Sequence, residues 1–265
     1  MTLKRTDQPA PWLYLFSVIT WTWTFLGIVA LSGQPWLSFP TVLLTLLGGL
    51  GPVIVPALLI TAGRWDSSLD RTTGNFFRRA LDPRTLPWHW YGWMVALLLL
   101  LHVGPLLLNP ATLQTEGILA MGPALFLLIG FIFGALEEPG WRGYAQEGLQ
   151  RRMPVVAASL VIGLFWAIWH LPLFLIADTY QAGLGIGTPA FWGFHLAILI
   201  SSPLYAWLYN VTGRVIFAPL LFHGLGNVVG EMTVDALPAA MLGVTAVLAL
   251  VIIVTNWSVM GVRRG

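Results

Sequence analysis

Eight stretches of this chain, 11–31, 39–62, 88–108, 119–136, 154–177, 190–210, 215–230 and 237–259, contain no Asp, Glu, Lys or Arg. A helix needs about 20 mostly apolar residues to cross a bilayer. Lipid offers no partner to an open backbone, so such runs fold as helices with every bond internal. They are too long and too evenly apolar for barrel strands, which alternate. Composition agrees: 57% of the residues are hydrophobic and 9% charged, against about 25% charged in soluble domains. The expected fold is all-α, a polytopic bundle of about eight transmembrane helices formed by one domain over 1–265, without internal repeat or soluble appendage.

The charges orient this bundle. Lys4 and Arg5 precede the first run, and Arg64, Arg71, Arg78, Arg79 and Arg84 separate the second from the third. Arg142, Arg151 and Arg152 follow the fourth, Arg214 the sixth, and Arg263 and Arg264 the eighth. All 13 basic residues thus fall on one side, while the other has only Glu116, Asp178, Glu231 and Asp235. The positive-inside rule puts both termini in the cytoplasm, as expected for an integral protein of the cytoplasmic membrane. The first run is read as a retained span, being longer than a signal-peptide core. The net charge of +2 follows from this topology, so no nucleic-acid partner is expected; the partner is the lipid bilayer. Within 63–87, Phe76, Phe77 and Leu81 beside Arg78 and Arg79 suit a short helix on the inner surface; a solvated basic loop accounts for the segment equally well. The absence of cysteine excludes disulfides, thiolate nucleophiles and Cys-ligated metals.

Ionisable residues inside spans are costly and point to function. The candidates are His102, His170, His195 and His223, with Glu137 and Glu138 if the stretch GALEEPGWRGY is buried. His223 and Asn227 stand at i and i+4, as do Trp166 and His170, and each pair shares a helix face. Glu138 and Arg142 have the same spacing and suit an ion pair; Glu137, about 100° around the helix, does not share that partner. His102 and His195 read as packed core residues, and His89 as an interfacial anchor. If the fourth helix ended at Leu136, the glutamates would sit at the membrane surface. If it continues, kinked at Pro139, to Gln150, Glu137 lies ~20 Å from the inner end. His170, His223 and Asn227 lie ~27, ~13 and ~20 Å along their helices, so the polar groups then share one zone.

A buried carboxylate near a neutral histidine can activate water as a general base. A histidine and an amide on one helix face can donate to an oxyanion. Glu137, His170 and His223 are equally a donor set that a divalent metal such as zinc accepts. No HExxH, GxSxG, P-loop or GxGxxG pattern occurs.

The ordered set Glu137-Glu138-x-x-x-Arg142, Trp166-x-x-x-His170 and His223-x-x-x-Asn227 resembles the CPBP intramembrane proteases, the CAAX-processing endopeptidases and their bacterial relatives, also described as Abi proteins. The likeness covers a core of about 119–230. It implies an α-helical bundle with a cavity facing the cytoplasm, in which Glu137 and His170 activate water and His223 and Asn227 stabilise the oxyanion. Glu138 and Arg142 would organise the site, and the metal question stays open. Trp166 stands where the pattern usually has Phe, which alters cavity volume. The implied substrate is a membrane-associated peptide or protein, including prenylated ones. Two other classes fit a polar membrane cluster: a non-catalytic scaffold, and a proton-coupled transporter using Glu137, Glu138 and His170.

Overall fold

The protein is described here from a computed structural model covering residues 10–65, 72–105, 122–231 and 238–264. Lys4, Arg5, Arg71, Glu116 and Asp235 lie outside these residues. Among the described residues every regular element is helical. α1 spans Pro11–Ser32, and α2 (Thr41–Gly49) and α3 (Gly51–Thr61) follow. The short helix α4 is Thr73–Leu81, and α5 (His89–Leu98) passes into a π-turn, Leu99–Val103. α6 (Pro123–Ala135) continues through a π-helical stretch, Pro139–Gln146, to Leu149. α7 is Val155–Trp169, α8 Tyr180–Leu184 and α9 Pro189–Val211. α10 (Phe217–Glu231), α11 (Pro238–Thr255) and α12 (Trp257–Met260) complete the bundle.

Apolar helical segments occupy all eight predicted runs. Four are long and apolar enough to cross a membrane, and α2 with α3 makes a fifth, bent by 59°. The segments 89–103, 217–230 and 239–255 are shorter. The bend has a local cause and local compensation. Pro52 has no N–H to continue the ladder. The carbonyls freed at the break are bonded by α1: Trp21 Nε1 donates to Leu47 O at 2.8 Å and Thr22 Oγ1 to Gly48 O at 2.7 Å. Thr22 in turn accepts from Trp169 Nε1 at 2.8 Å. Gly51 permits this contact, because a Cβ there would lie 2.6 Å from Thr22 Oγ1.

The fourth segment corrects the boundary at Leu136. Helical structure runs over Pro123–Leu149, and every residue from Glu137 to Gln150 is buried. The apolar part is the more exposed: Leu125, Leu127 and Leu128 present about half their surface. Lipid covers the apolar turns, and protein covers the polar ones. Pro139 opens the π-helical stretch, where the wider i→i+5 ladder absorbs its missing donor. Gly140 lets the stretch pass directly beneath α1 and α3, since any Cβ there would collide with the Tyr14 hydroxyl and the Pro52 carbonyl.

The segment after α3 forms the surface helix rather than a loop. Thr72 caps it, accepting from Asn75 N at 3.1 Å. Its anchor is Phe76, wholly buried beneath Gly143, where a Cβ would lie 2.9 Å from Phe76 Cζ. Leu81, by contrast, is 56% exposed. Arg79 reaches across to Arg214 O at 2.6 Å and Tyr209 Oη at 3.3 Å. α4 therefore braces the C-terminal end of the π-helical stretch. Phe76→Ala should lower stability by about 3–5 kcal/mol and Leu81→Ala by under ~0.5 kcal/mol, read as thermal or denaturant unfolding in detergent.

Candidate active site

The site begins with the buried ion pair predicted from the i, i+4 spacing. Arg142 Nη1 lies 3.3 Å from Glu138 Oε1, and neither side chain is exposed. Burying two charges costs several kcal/mol each, and a single contact does not offset that. Further partners converge. His223 Nδ1 lies 2.8 Å from the same Glu138 oxygen. Arg142 Nη2 donates to Ser202 Oγ at 3.2 Å, and Ser202 donates to Ser159 O at 2.7 Å. The guanidinium carbon lies 5.2 Å from the Trp166 ring and 4.7 Å from the Tyr205 ring, within cation–π range on both sides. One charge cluster thus joins α7, α9, α10 and the extension of α6.

Glu137 is held differently. Trp141, one turn along, donates Nε1–H to its Oε2 at 3.2 Å. His170 sits where α7 gives way to a 3-10 turn, Leu171–Leu175. Pro172 cannot continue the α-helical ladder, so His170 N bonds Ala167 O at 3.2 Å. The Trp166 carbonyl is left for the ring, and His170 Nδ1 lies 2.9 Å from it. A carbonyl only accepts, so Nδ1 carries the proton and Nε2 of the neutral ring keeps its lone pair. His223 and Asn227 come close to α6 because Gly134 lies under them. A Cβ at Gly134 would stand 2.7 Å from Asn227 Nδ2 and 2.9 Å from His223 Cδ2. Gly130 beneath Val228 and Gly224 against Phe131 extend the close crossing, as small residues do at membrane helix contacts.

Glu137, Trp166, His170, His223 and Asn227 line one cavity of about 420 Å³. The predicted set is therefore brought together, with a division of place: Glu138 and Arg142 do not line the cavity but lie behind it. Trp166 is the shared wall, its ring centroid 6.1 Å from that of His170 and 5.1 Å from that of His223. His195 stays outside the cavity, between Phe174 and Phe191, with Nδ1 2.7 Å from Phe191 O. His102, expected in the core, lines the cavity instead. His89 is exposed, as an anchor should be. Among the described residues no three His, Cys, Asp or Glu side chains are grouped to hold a metal ion. His223 Nδ1 and Glu138 are also committed to each other. Glu137, His170 and His223, expected as a candidate metal donor set, do not form such a group.

Sequence reasoning missed Trp141, Ser202 and Tyr205. Trp141 was legible as the i+4 neighbour of Glu137. Ser202 is a polar residue in an apolar run, whereas Tyr205 gave no signal apart from the Arg142 it covers. Arg142→Met should destabilise by about 3–5 kcal/mol, because it leaves Glu138 buried without its cation. Glu138→Gln combined with Arg142→Met should recover part of this loss, measured by unfolding in detergent.

Residues 118–229 match the model of a family described as type II CAAX prenyl endopeptidase Rce1-like. A curated relative, CAAX prenyl protease 2 of Methanococcus maripaludis, is 35% identical over 113 residues, or 42% of this chain and 40% of the relative. The match spans less than half the length of that relative, and the family model takes in Glu137, Trp166, His170, His223 and Asn227. Residues 118–229 are therefore similar to the Rce1-like CAAX prenyl endopeptidases.

Proposed function

We propose that the protein is an intramembrane endopeptidase acting on membrane-associated, apolar or lipidated peptides. The observation that carries this reading is the convergence of Glu137, His170, His223 and Asn227 on one cavity. Hydrolysis needs a base for water and donors for the developing oxyanion, and the four residues supply both. Glu137 takes a proton from a water molecule, assisted by the lone pair on His170 Nε2. The water oxygen bonds to the scissile carbonyl carbon, and the C=O electron pair moves to oxygen. Asn227 donates its amide hydrogens to that oxyanion. His223 donates through Nε2 when both its ring nitrogens carry protons, and Glu138 is the adjacent counter-charge. Collapse of the oxyanion breaks the C–N bond, and the proton held by Glu137 passes to the leaving nitrogen. Glu138 and Arg142 act by positioning His223 and the surrounding helices.

The family match and the relative's name support proteolysis and a prenylated substrate, and the apolar walls, among them Leu101, Phe194 and Phe222, suit such a chain. Purified protein in detergent should cleave a fluorogenic apolar peptide. Glu137→Ala and His170→Ala should each lower kcat by at least about 100-fold, and Asn227→Ala by ~10²–10³. Parent-like turnover in both of the first two variants would overturn the assignment. Gly134→Ala displaces both oxyanion donors without removing either, so it should cost about tenfold or more in kcat.

A further inference from the structure

His102 takes no part in the proposed hydrolysis, yet it lines the same cavity. It sits on the π-turn Leu99–Val103 that follows α5. A π-turn widens the helical ladder and re-aims the side chains around it, and such turns recur at functional sites. Here Leu101 and His102, adjacent in sequence, both reach the cavity wall. Across from them lies α10. His223, Gly226, Asn227 and Gly230 stand at i, i+3, i+4 and i+7, one helix face, and all four line the cavity. One edge of the His102 ring faces the two glycines: a Cβ at Gly226 would lie 4.0 Å from Nε2, and a Cβ at Gly230 3.6 Å from Cε1. His102 thus stands over the same strip of α10 as the proposed oxyanion donors, ~2–8 Å farther along the axis at 1.5 Å per residue.

The imidazole brings polar atoms that the protein itself leaves unused. Nδ1 of His102 is buried without a hydrogen-bond partner among the described residues. The hydroxyls on the wall are committed to their own helices: Ser201 Oγ donates to Ile198 O at 3.1 Å, and Thr245 Oγ1 to Met241 O at 2.8 Å. A polar group buried without a partner is costly, and a ligand that supplies the partner removes that cost. The wall also selects the ligand group. It holds the acid Glu137 and, among the described residues, no Lys or Arg, so a carboxylate would meet a like charge with no fixed cation beside it. A neutral imidazole offers one donor and one acceptor, which match the C=O and N–H of a peptide. We propose that His102 is a specificity-determining residue that hydrogen-bonds the substrate's main chain one or two residues from the scissile bond, where that chain runs along Gly226 and Gly230. An extended chain rises ~3.3 Å per residue, which spans the interval from Asn227 to His102. The proposal rests on the endopeptidase reading for the identity of its ligand.

The test pairs changes in the protein with changes in the peptide. His102→Phe keeps an aromatic ring and removes both nitrogens. A set of apolar fluorogenic peptides carries one ester in place of one backbone amide, at each of the two positions on either side of the scissile bond. An ester lacks the N–H and accepts more weakly. With the all-amide peptide, His102→Phe should lower kcat/KM about threefold to tenfold, chiefly through KM, and His102→Gln should recover part of the loss. An ester at one position should cost the parent a similar factor, and His102→Phe should then add less than about twofold, because the shared contact is already gone. An equal loss on every peptide, or no loss on any, overturns the proposal. The same peptides, labelled and bound to Glu137→Ala in detergent, give Kd by fluorescence anisotropy without turnover. There the added His102→Phe should weaken binding of the all-amide peptide by the same factor, and equal Kd values overturn the proposal. If binding responds to His102 while the parent cleaves no peptide, the endopeptidase reading fails and His102 stands as a ligand contact.

Discussion

A carboxylate that cannot reach water has to be neutralised by protein, and Glu138 sets this condition for the whole bundle. It is wholly buried, and one oxygen meets both Arg142 and His223. Arg142 brings its own requirements. A buried guanidinium needs acceptors and polarisable surfaces, and it finds Ser202 on α9, Trp166 on α7 and Tyr205 on α9. No single contact offsets the desolvation, but the set does so only when four segments hold their relative positions. Specificity of packing thus follows from the charge, in a solvent where apolar side chains give helices little reason to associate.

Backbone geometry serves the same end. The π-helical stretch after Pro139 carries Arg142 and Trp141, and both point at the glutamates that precede it. Glycine sits where close approach is required: Gly134 under His223 and Asn227, Gly140 under Tyr14, and Gly143 over Phe76. Each brings a different neighbouring segment against the helix that carries both acids. A side chain at Gly134 would fill space that Asn227 and His223 now use, so its absence shapes the site as much as the polar residues do.

Apolar runs were enough to find the helical segments, because lipid imposes one rule on all of them. They were not enough to end the fourth one. Hydropathy reports contact with lipid, and after Leu136 the helix is covered by protein. The boundary became legible only through the depths of His170, His223 and Asn227, which placed the glutamates inside. The i, i+4 spacings of Glu138–Arg142 and His223–Asn227 translated directly into contacts and shared lining, since helical geometry alone fixes them. The link from His223 to Glu138 did not, because 85 residues separate them. Tyr205 and Ser202 were illegible for the same reason: their roles depend on which face of α9 meets Arg142. The bend between α2 and α3 was foreshadowed by Pro52, but its size depends on Trp21 and Thr22 of another helix. His102 was misplaced because a lone histidine in an apolar run looks the same whether it faces a neighbour or a cavity.

The two ends of the bundle divide the work of a membrane site. At the basic end Glu147, Tyr209, Arg214 and Arg151 form a cluster whose acid is wholly buried, and Trp65 packs on Phe76 and on Tyr144 of the π-helical stretch. That end fixes the segment carrying Glu137, and fixed groups are what the proposed hydrolysis requires. The cavity itself is bounded by the short α8, the ends of α5 and α10, and the start of α11. A charge that must stay dry and a cavity that must stay open make opposite demands on packing. Placing Glu138 and Arg142 behind Glu137 and His170, on the side away from the cavity, lets one bundle meet both.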